Sequence, residues 1–511
     1  MVKKLIPILI LSVCVAMSTE APAIIPIPDG CYPNFTTAEG CKALQNLTTG
    51  VANTGIGWYA LFATNTGSNN TAVGAGALDL NTADNNTAVG VAALLLNTSG
   101  TNNTANGTGA LVYNHSGEGN TATGAFALYS NTDGQFNTAN GEFTLYFNTS
   151  GERNTAIGDS ALYLNTDGSR NTAVGNPALL SNTSGSDNTA IGSSALFLNT
   201  ADENTAVGAA ALEHNTSGGL NTAIGFSALT NNQTGIGNTA TGWQALLTNT
   251  TGERNTANGR SALEHNTDGS FNTAMGEFAL TANTTGALNT AIGYLAMQVN
   301  TEGIQNTAIG EDALSNNTTG SQNTAIGALA GSGVTTASDV LCIRAAGTNV
   351  DSSTYIGNIW QKPGGSQAVY VNSDGKLGAQ VSSRRFKHDI KPMEQSSEVI
   401  YQLNPVSFRY NAEIEPDCPL TFGLVAEDVA NVDTDLIARD KDGNAFSVRY
   451  DQVNAMLLNE FLKEHRKNEQ QEATIARLQK QIETLTAGLQ KVSTELEVSR
   501  RLPRLATSHG D

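Results

Sequence analysis

Ser382 and Lys387 are the residues of this chain best placed to do chemistry. A serine hydroxyl attacks carbonyls when a neighbouring base takes its proton, and a lysine amine can be that base once burial or nearby cations lower its pKa. Arg384 and Arg385 lie between the two and supply such cations. Five residues apart, the side chains face opposite sides of a strand and diverge on a helix, so only a bent connection brings them together. His388 is an alternative base. Alone the pair specifies no reaction; as nucleophile and base it would be a Ser-Lys dyad.

The elements that must supply the bend follow in order. Gly423-Leu424-Val425-Ala426-Glu427-Asp428-Val429 forms one compact patch, and Tyr450 opens a helix that continues through Leu457, Leu458, Phe461 and Leu462. Then Ile475, Leu478, Ile482, Leu485, Leu489, Val492 and Leu496 alternate by three and four, which is a coiled-coil seam. Ser382, Arg385, Phe386 and Lys387, with these two later patches, resemble the C-terminal intramolecular chaperone family of phage tail spikes and bacterial fibres, of the endosialidase type. Ser383 departs from that pattern, because the family has Asp there. The resemblance covers about the last quarter of the chain. It implies a homotrimer, a domain that folds first and sets register, and a serine peptidase activity directed at the chain itself.

Ahead of this region, Asn-Thr-Ala-x-Gly-x-x-Ala-Leu-x-x-Asn-Thr-x-Gly-x-x recurs from Asn53 to Gly327. The period is 17, shortened to 16 in two copies that carry Asn-Thr-Ala-Asp (Asn81 to Asp84 and Asn199 to Asp202), so Asn-Thr-x-Gly marks a bend where a residue can be lost. So short a unit buries no core alone, and a fixed period predicts a solenoid of stacked coils. The Ala-Leu file (Ala77/Leu78, Ala161/Leu162, Ala262/Leu263) should fill the interior, and the Gly after Ala-x should sit at a positive φ or a close backbone approach. Asparagine files should bond coil to coil. The pentad also resembles the head repeats of trimeric autotransporter adhesins, which implies a β-roll-like coil. The stretch around Ala-Leu-x-x-Asn is either a second strand or one helical turn. The expected fold is mainly β: a solenoid shaft, a small α+β C-terminal domain and a terminal coiled-coil helix.

Composition narrows the function. The net charge is −19, and residues 1–381 hold 10 Lys/Arg against 25 Asp/Glu, so no basic footprint for nucleic acid is present. The repeat acids, among them Asp79, Glu142, Asp159 and Glu277, occupy variable positions, as solvated surface residues do, rather than the paired carboxylates of a glycan-degrading spike. A single Thr file beside Asn and Ala is a poor ice-binding surface. Tyr59, Trp243 and Tyr294 follow the glycine and suit contacts between subunits or with a cell-surface glycan. The calcium motif of some solenoids is missing, and Cys342 and Cys418 have no metal-ligand spacing, so no cofactor or metal is expected.

The expected layout is a signal peptide at 1–23, with an uncleaved anchor as the alternative, then an N-terminal cap at 24–52. Cys31 and Cys41 either clip that cap or pack in it as small apolar residues. The solenoid spans 53–327, a β-rich transition segment 328–381, the chaperone or peptidase-like domain 382–463, the coiled coil 464–500 and a disordered tail 501–511. A hairpin is expected where Asp374-Gly375 separates apolar runs. Arg500 to Asp511 is polar, so no membrane barrel is expected at the C-terminus. The sequence therefore reads as a secreted or surface fibre with its own folding device. A trimeric adhesin or display spacer that is never cut is the alternative.

Overall fold

The computed structural model describes residues 33–357, 369–371, 377–379, 383–411, 418–440 and 442–501. The signal-peptide, Cys31 and tail expectations lie outside these residues, as does Ser382. The chain divides into two compact units, Met1–Lys362 and Pro363–Asp511.

The first unit is a parallel β-solenoid. Three-residue strands, from β1 (Thr37–Glu39) to β20 (Thr354–Ile356), form one 20-stranded sheet. Each strand pairs with the next in unbroken register, as in Thr155↔Thr172, Ala156↔Ala173 and Ile157↔Val174. Every repeat therefore contributes one coil. The alternation of a strand turns its central Ala inward, where it is fully buried, and leaves Thr and the variable third residue outside.

After the strand, the coil turns without a second strand or a helix, so both readings of the Ala-Leu stretch give way to consecutive turns. In the coil from Asn154 to Arg170, Gly158 has φ +125°, Ser160 +58°, Leu162 +52° and Arg170 +58°. The non-glycine residues occupy the small left-handed well, which costs of order 1–3 kcal/mol each. Leu is retained there because the interior needs its volume: Leu162 and its equivalents are fully buried. Gly158 and its counterparts satisfy both halves of the glycine expectation. A Cβ on Gly124, at φ +128°, would lie 2.4 Å from the carbonyl oxygen of Gly141 in the next coil. The second glycine of each repeat has no such φ, but a Cβ on Gly151 would meet Asn148 Oδ1 and Gly168 O at 2.4 Å.

Two asparagine ladders run through the interior, and they offset the backbone strain. The leading Asn uses Oδ1 to accept the backbone N–H of the leading Asn one coil on, as from Asn120 to Asn103 at 2.9 Å, while Asn103 Nδ2 donates to Gly117 O at 2.9 Å. The second Asn donates both to its predecessor and to its own turn: Asn131 Nδ2 to Asn114 Oδ1 at 2.8 Å and to Gly134 O at 3.0 Å. All these amides are buried. The sixteen-residue coils keep part of the pattern by substitution, but Asn199 does not reach its predecessor Asn182, whose buried Oδ1 has no partner. Ala83 O accepts from Asn70 and Asn81, and the Asp84 carboxylate accepts Ser68 N–H at 2.7 Å. Ala201 and Asp202 repeat the arrangement.

The ladder of coils extends past the recognisable repeats. Residues 36–52 form a diverged coil whose strand pairs Thr37 with Thr54, and Gly40 takes φ +111°. Cys41 in that coil is an exposed free thiol. At the other end, Leu341–Ile343 and Thr354–Ile356 add two strands, and Val340 N–H occupies the place of the next leading Asn on Asn323 Oδ1.

The second unit is built from short pieces. Val369–Val371 and Leu377–Ala379 pair antiparallel, as the hairpin expectation required, although the Asp374-Gly375 turn lies outside the described residues. Val406–Phe408 pairs with Thr421–Gly423, and Ile437–Arg439 with Ala445–Val448. A helix at Ala426–Val432 and the helix Tyr450–Arg501, 52 residues long, complete it. Val429, Leu436, Ile437, Val448 and Val453 make the small core.

Asn131→Ala should remove one rung, leaving Asn114 Oδ1 without a donor and taking from Asn148 Nδ2 one of its two acceptors, while Gly134 O keeps the bond from Asn120. With each buried orphan costing about 1–3 kcal/mol, limited proteolysis should open the coils around residue 131 at a lower temperature than in the parent. Gly124→Ala should do the same through the clash with Gly141. Unchanged cleavage in both would contradict the ladder's structural role.

Candidate functional site

The seam between shaft and C-terminal unit carries the predicted dyad. Between Ser383 and Lys387 the backbone makes a single 3-10 turn, Arg384–Phe386, closed by Phe386 N–H to Ser383 O at 3.0 Å and Lys387 N–H to Arg384 O at 3.1 Å. Lys387 returns to extended backbone immediately after it. Arg385 covers the Phe386 ring at 4.6 Å. Lys387 is exposed in the single chain, and so are both arginines. His388 Nδ1 lies 2.9 Å from the adjacent Asp389 carboxylate, and both side chains are exposed.

The other two sequence patches meet. The Tyr450 hydroxyl accepts the N–H of Leu424 at 2.9 Å, and a Cβ on Gly423 would stand 2.8 Å from that hydroxyl and 3.2 Å from the Phe408 ring. Glycine is thus needed for the approach of the first helical residue to the strand end. From there Val425 starts the helix Ala426–Val432 and buries Val429.

A polar cluster that sequence reading missed joins the 3-10 segment Glu394–Gln402 to the long helix. The buried Ser397 hydroxyl donates to Glu460, and Tyr401 donates to the same carboxylate at 2.9 Å. Lys463 reaches Glu460 at 2.6 Å and Glu398 at 3.4 Å, while Asn459 Nδ2 donates to Ser397 Oγ at 2.7 Å. Lys463 first, then Ser397 and Tyr401, hold the Glu460 carboxyl below its ordinary pKa against the opposing effect of desolvation. The signal in sequence was faint: an i,i+3 Glu-Lys pair on the inner side of a helix, with partners about sixty residues upstream.

Aromatic residues on the shaft cluster elsewhere than expected. Tyr129 stacks on Tyr146 at 5.0 Å and Tyr146 on Tyr163 at 5.5 Å, with Phe126 on Phe143 at 5.5 Å beside them. Ring faces are turned to the neighbouring coils, so this ladder packs coil on coil. Trp243, one of the aromatics that follow the glycine, instead lies 5.3 Å from the Arg260 guanidinium. Among the described residues no group of three His, Cys, Asp or Glu is placed to hold a metal, and no helix is long and apolar enough to cross a membrane.

Because the folded Glu460 pKa is depressed, its contribution is present above the unfolded pKa and is lost as pH falls through the folded value. Hydrogen-exchange protection of Glu394–Gln402 should therefore persist into the acid side of the ordinary carboxylate range and then collapse. Glu460→Gln should abolish that pH step, and a step that survives the substitution would assign it to another group.

Comparison with known proteins bears on the seam and not on the shaft. Neither a curated protein nor a solved structure matches the chain. Residues 382–438 match the family described as the chaperone of endosialidase, so the C-terminal unit contains a segment similar to that family, in a chain whose first unit is a β-solenoid.

Proposed function

We propose that this protein is an exported fibre whose C-terminal unit gathers three copies, sets their register and is then severed at Ser382. The observation that carries the assembly step is the apolar seam of the long helix. Ile475, Ile482, Leu485 and Leu489 are 53–69% exposed in the single chain, and Phe422, Phe446 and Phe461 are more than two-thirds exposed nearby in sequence order. A surface of this kind is stable in water only when other chains cover it. Heptad spacing suits parallel helices, and the number three comes from the chaperone resemblance.

A gathering device answers a kinetic problem. Coils that must align over some three hundred residues pair slowly and expose strand edges meanwhile. Joining the chains at one end raises the local concentration of everything upstream. Cutting the device away afterwards leaves a fibre held by its unfolding barrier.

The exposure of Lys387 fits a cut that waits for assembly. Packing of copies around the turn would take Lys387 out of water and bring it to the hydroxyl it is to serve. The Ser382 hydroxyl would then lose its proton to Lys387 as it adds to a neighbouring peptide carbonyl; the amine leaves with a proton, and water releases the resulting ester. Residues 1–23 suit an export signal, and the absence of any catalytic constellation on the shaft favours adhesion or surface display as its outward task.

Full-length chain that assembles should yield a shortened N-terminal band and a fragment of roughly 14 kDa, the size of the segment after the cut. Ser382→Ala and Lys387→Ala should each abolish processing and leave trimers, and Lys387→Arg should also be inactive because guanidinium does not give up its proton. His388→Ala should process normally. Processing that needs His388 and tolerates Lys387→Arg would replace the dyad with a Ser/His pair. Removing residues 382–511 should give aggregated or monomeric shaft, and soluble native trimers from that truncation would refute the chaperone role.

A further inference from the structure

The outer face of the solenoid sheet carries no charge. From Thr54 to Ile326 each strand presents a Thr and one further residue, and none of these is Asp, Glu, Lys or Arg, in a chain of net charge −19. The further residue is apolar in most coils and stands in water unprotected: Ile157, Ile191, Ile224 and Ile326 are each 41–42% exposed. Seventeen strands about 4.8 Å apart and about 10 Å wide make a face on the order of 800 Å², which is what one partner buries in a stable interface.

The file of third residues is not uniform. Running down the shaft it is apolar at 56, 73 and 89, polar at Asn106, Thr123 and Asn140, apolar from Ile157 to Ile224, polar at Thr241 and Asn258, and apolar again from Met275 to Ile326. The ladder places these residues level by level, Asn106↔Thr123 and Thr123↔Asn140 on adjacent strands. Two copies side by side in register set polar layers against polar layers. A slip of one coil sets Val89 against Asn106, Asn140 against Ile157, Ile224 against Thr241 and Asn258 against Met275. A buried amide facing Ile has no partner and costs about 1–3 kcal/mol. Because the polar blocks differ in length, slips of more coils mismatch as well.

We propose that this face packs against the same face of further copies of the chain, in parallel, and that the blocks at Asn106–Asn140 and Thr241–Asn258 are keys that fix the axial register of the shaft. The proposal rests on the assembly proposed above and adds to it. The C-terminal unit brings chains together; the keys select the level at which distant coils meet. This is the use a single buried Asn has in a coiled coil, transferred to a sheet face.

The test uses full-length chain with Cys31, Cys41 and Cys418 changed to Ser. Val174→Cys should form disulfides between copies under mild oxidation. Coexpressed with Val207→Cys chains, two coils or about 10 Å away, it should not link to them, because a disulfide spans Cα atoms less than about 7 Å apart. Converting Asn106, Thr123, Asn140, Thr241 and Asn258 together to Ile, which removes both keys, should leave the oligomer and the same-residue links in place and add links between 174 and 207. An assembled chain that never links through Val174 overturns the interface and leaves the chaperone reading standing. Same-residue linkage with no offset product in the five-residue variant overturns the keys. A chain that sediments as a monomer before any oxidation overturns assembly itself.

Discussion

Everything in the shaft depends on how closely one coil lies on the next. Backbone carbonyls of stacked turns approach to the point where a Cβ on Gly124 would be 2.4 Å from Gly141 O. In the seventeen-residue coils ahead of Asn323 that spacing goes with glycine at two corners, Ala or Gly at the strand centre, and Leu or Met297 at a single inward point. It also brings amide onto amide, so that Asn103, Asn120 and their equivalents complete each other's hydrogen bonds without water. The left-handed backbone at Ser160 and Leu162 is tolerated because this dense, repeated bonding holds it there.

The C-terminal unit is organised in the opposite way. Its core is small, its longest helix leaves an apolar edge in solvent, and its contacts are made between segments far apart in sequence, such as Ser397 with Glu460 and Leu424 with Tyr450. On the proposed assembly, its stability would rise with the concentration of the chain.

The period was legible because a solenoid repeats its environment: the same neighbour lies above and below every residue, so the sequence must repeat too. The leading Asn file, the Ala-Leu interior and the glycine corner could be read off the sequence for that reason. One asparagine ladder at a bend was expected and the structure has two, because the motif alone does not say which way each amide points. The flanking coils fall outside the recognisable repeat because Thr36 and Val340 stand where the leading Asn would be. In the C-terminal unit, motifs were visible and their meeting was not: Gly423 and Tyr450 could each be noticed, but only the fold shows that one is small so that the other can approach.

Because each full-length coil offers its neighbours the same donors and acceptors that it receives, coils are interchangeable at their junctions. Duplicating or excising one would create no new kind of contact in the interior, and would change the reach of the shaft by a single strand spacing, about 4.8 Å. Asp84 and Asp202, which mend a shortened coil with a side chain, extend that tolerance to a lost residue. Length is therefore the property of this fibre most easily varied, a ruler that can be recut without redesigning its material.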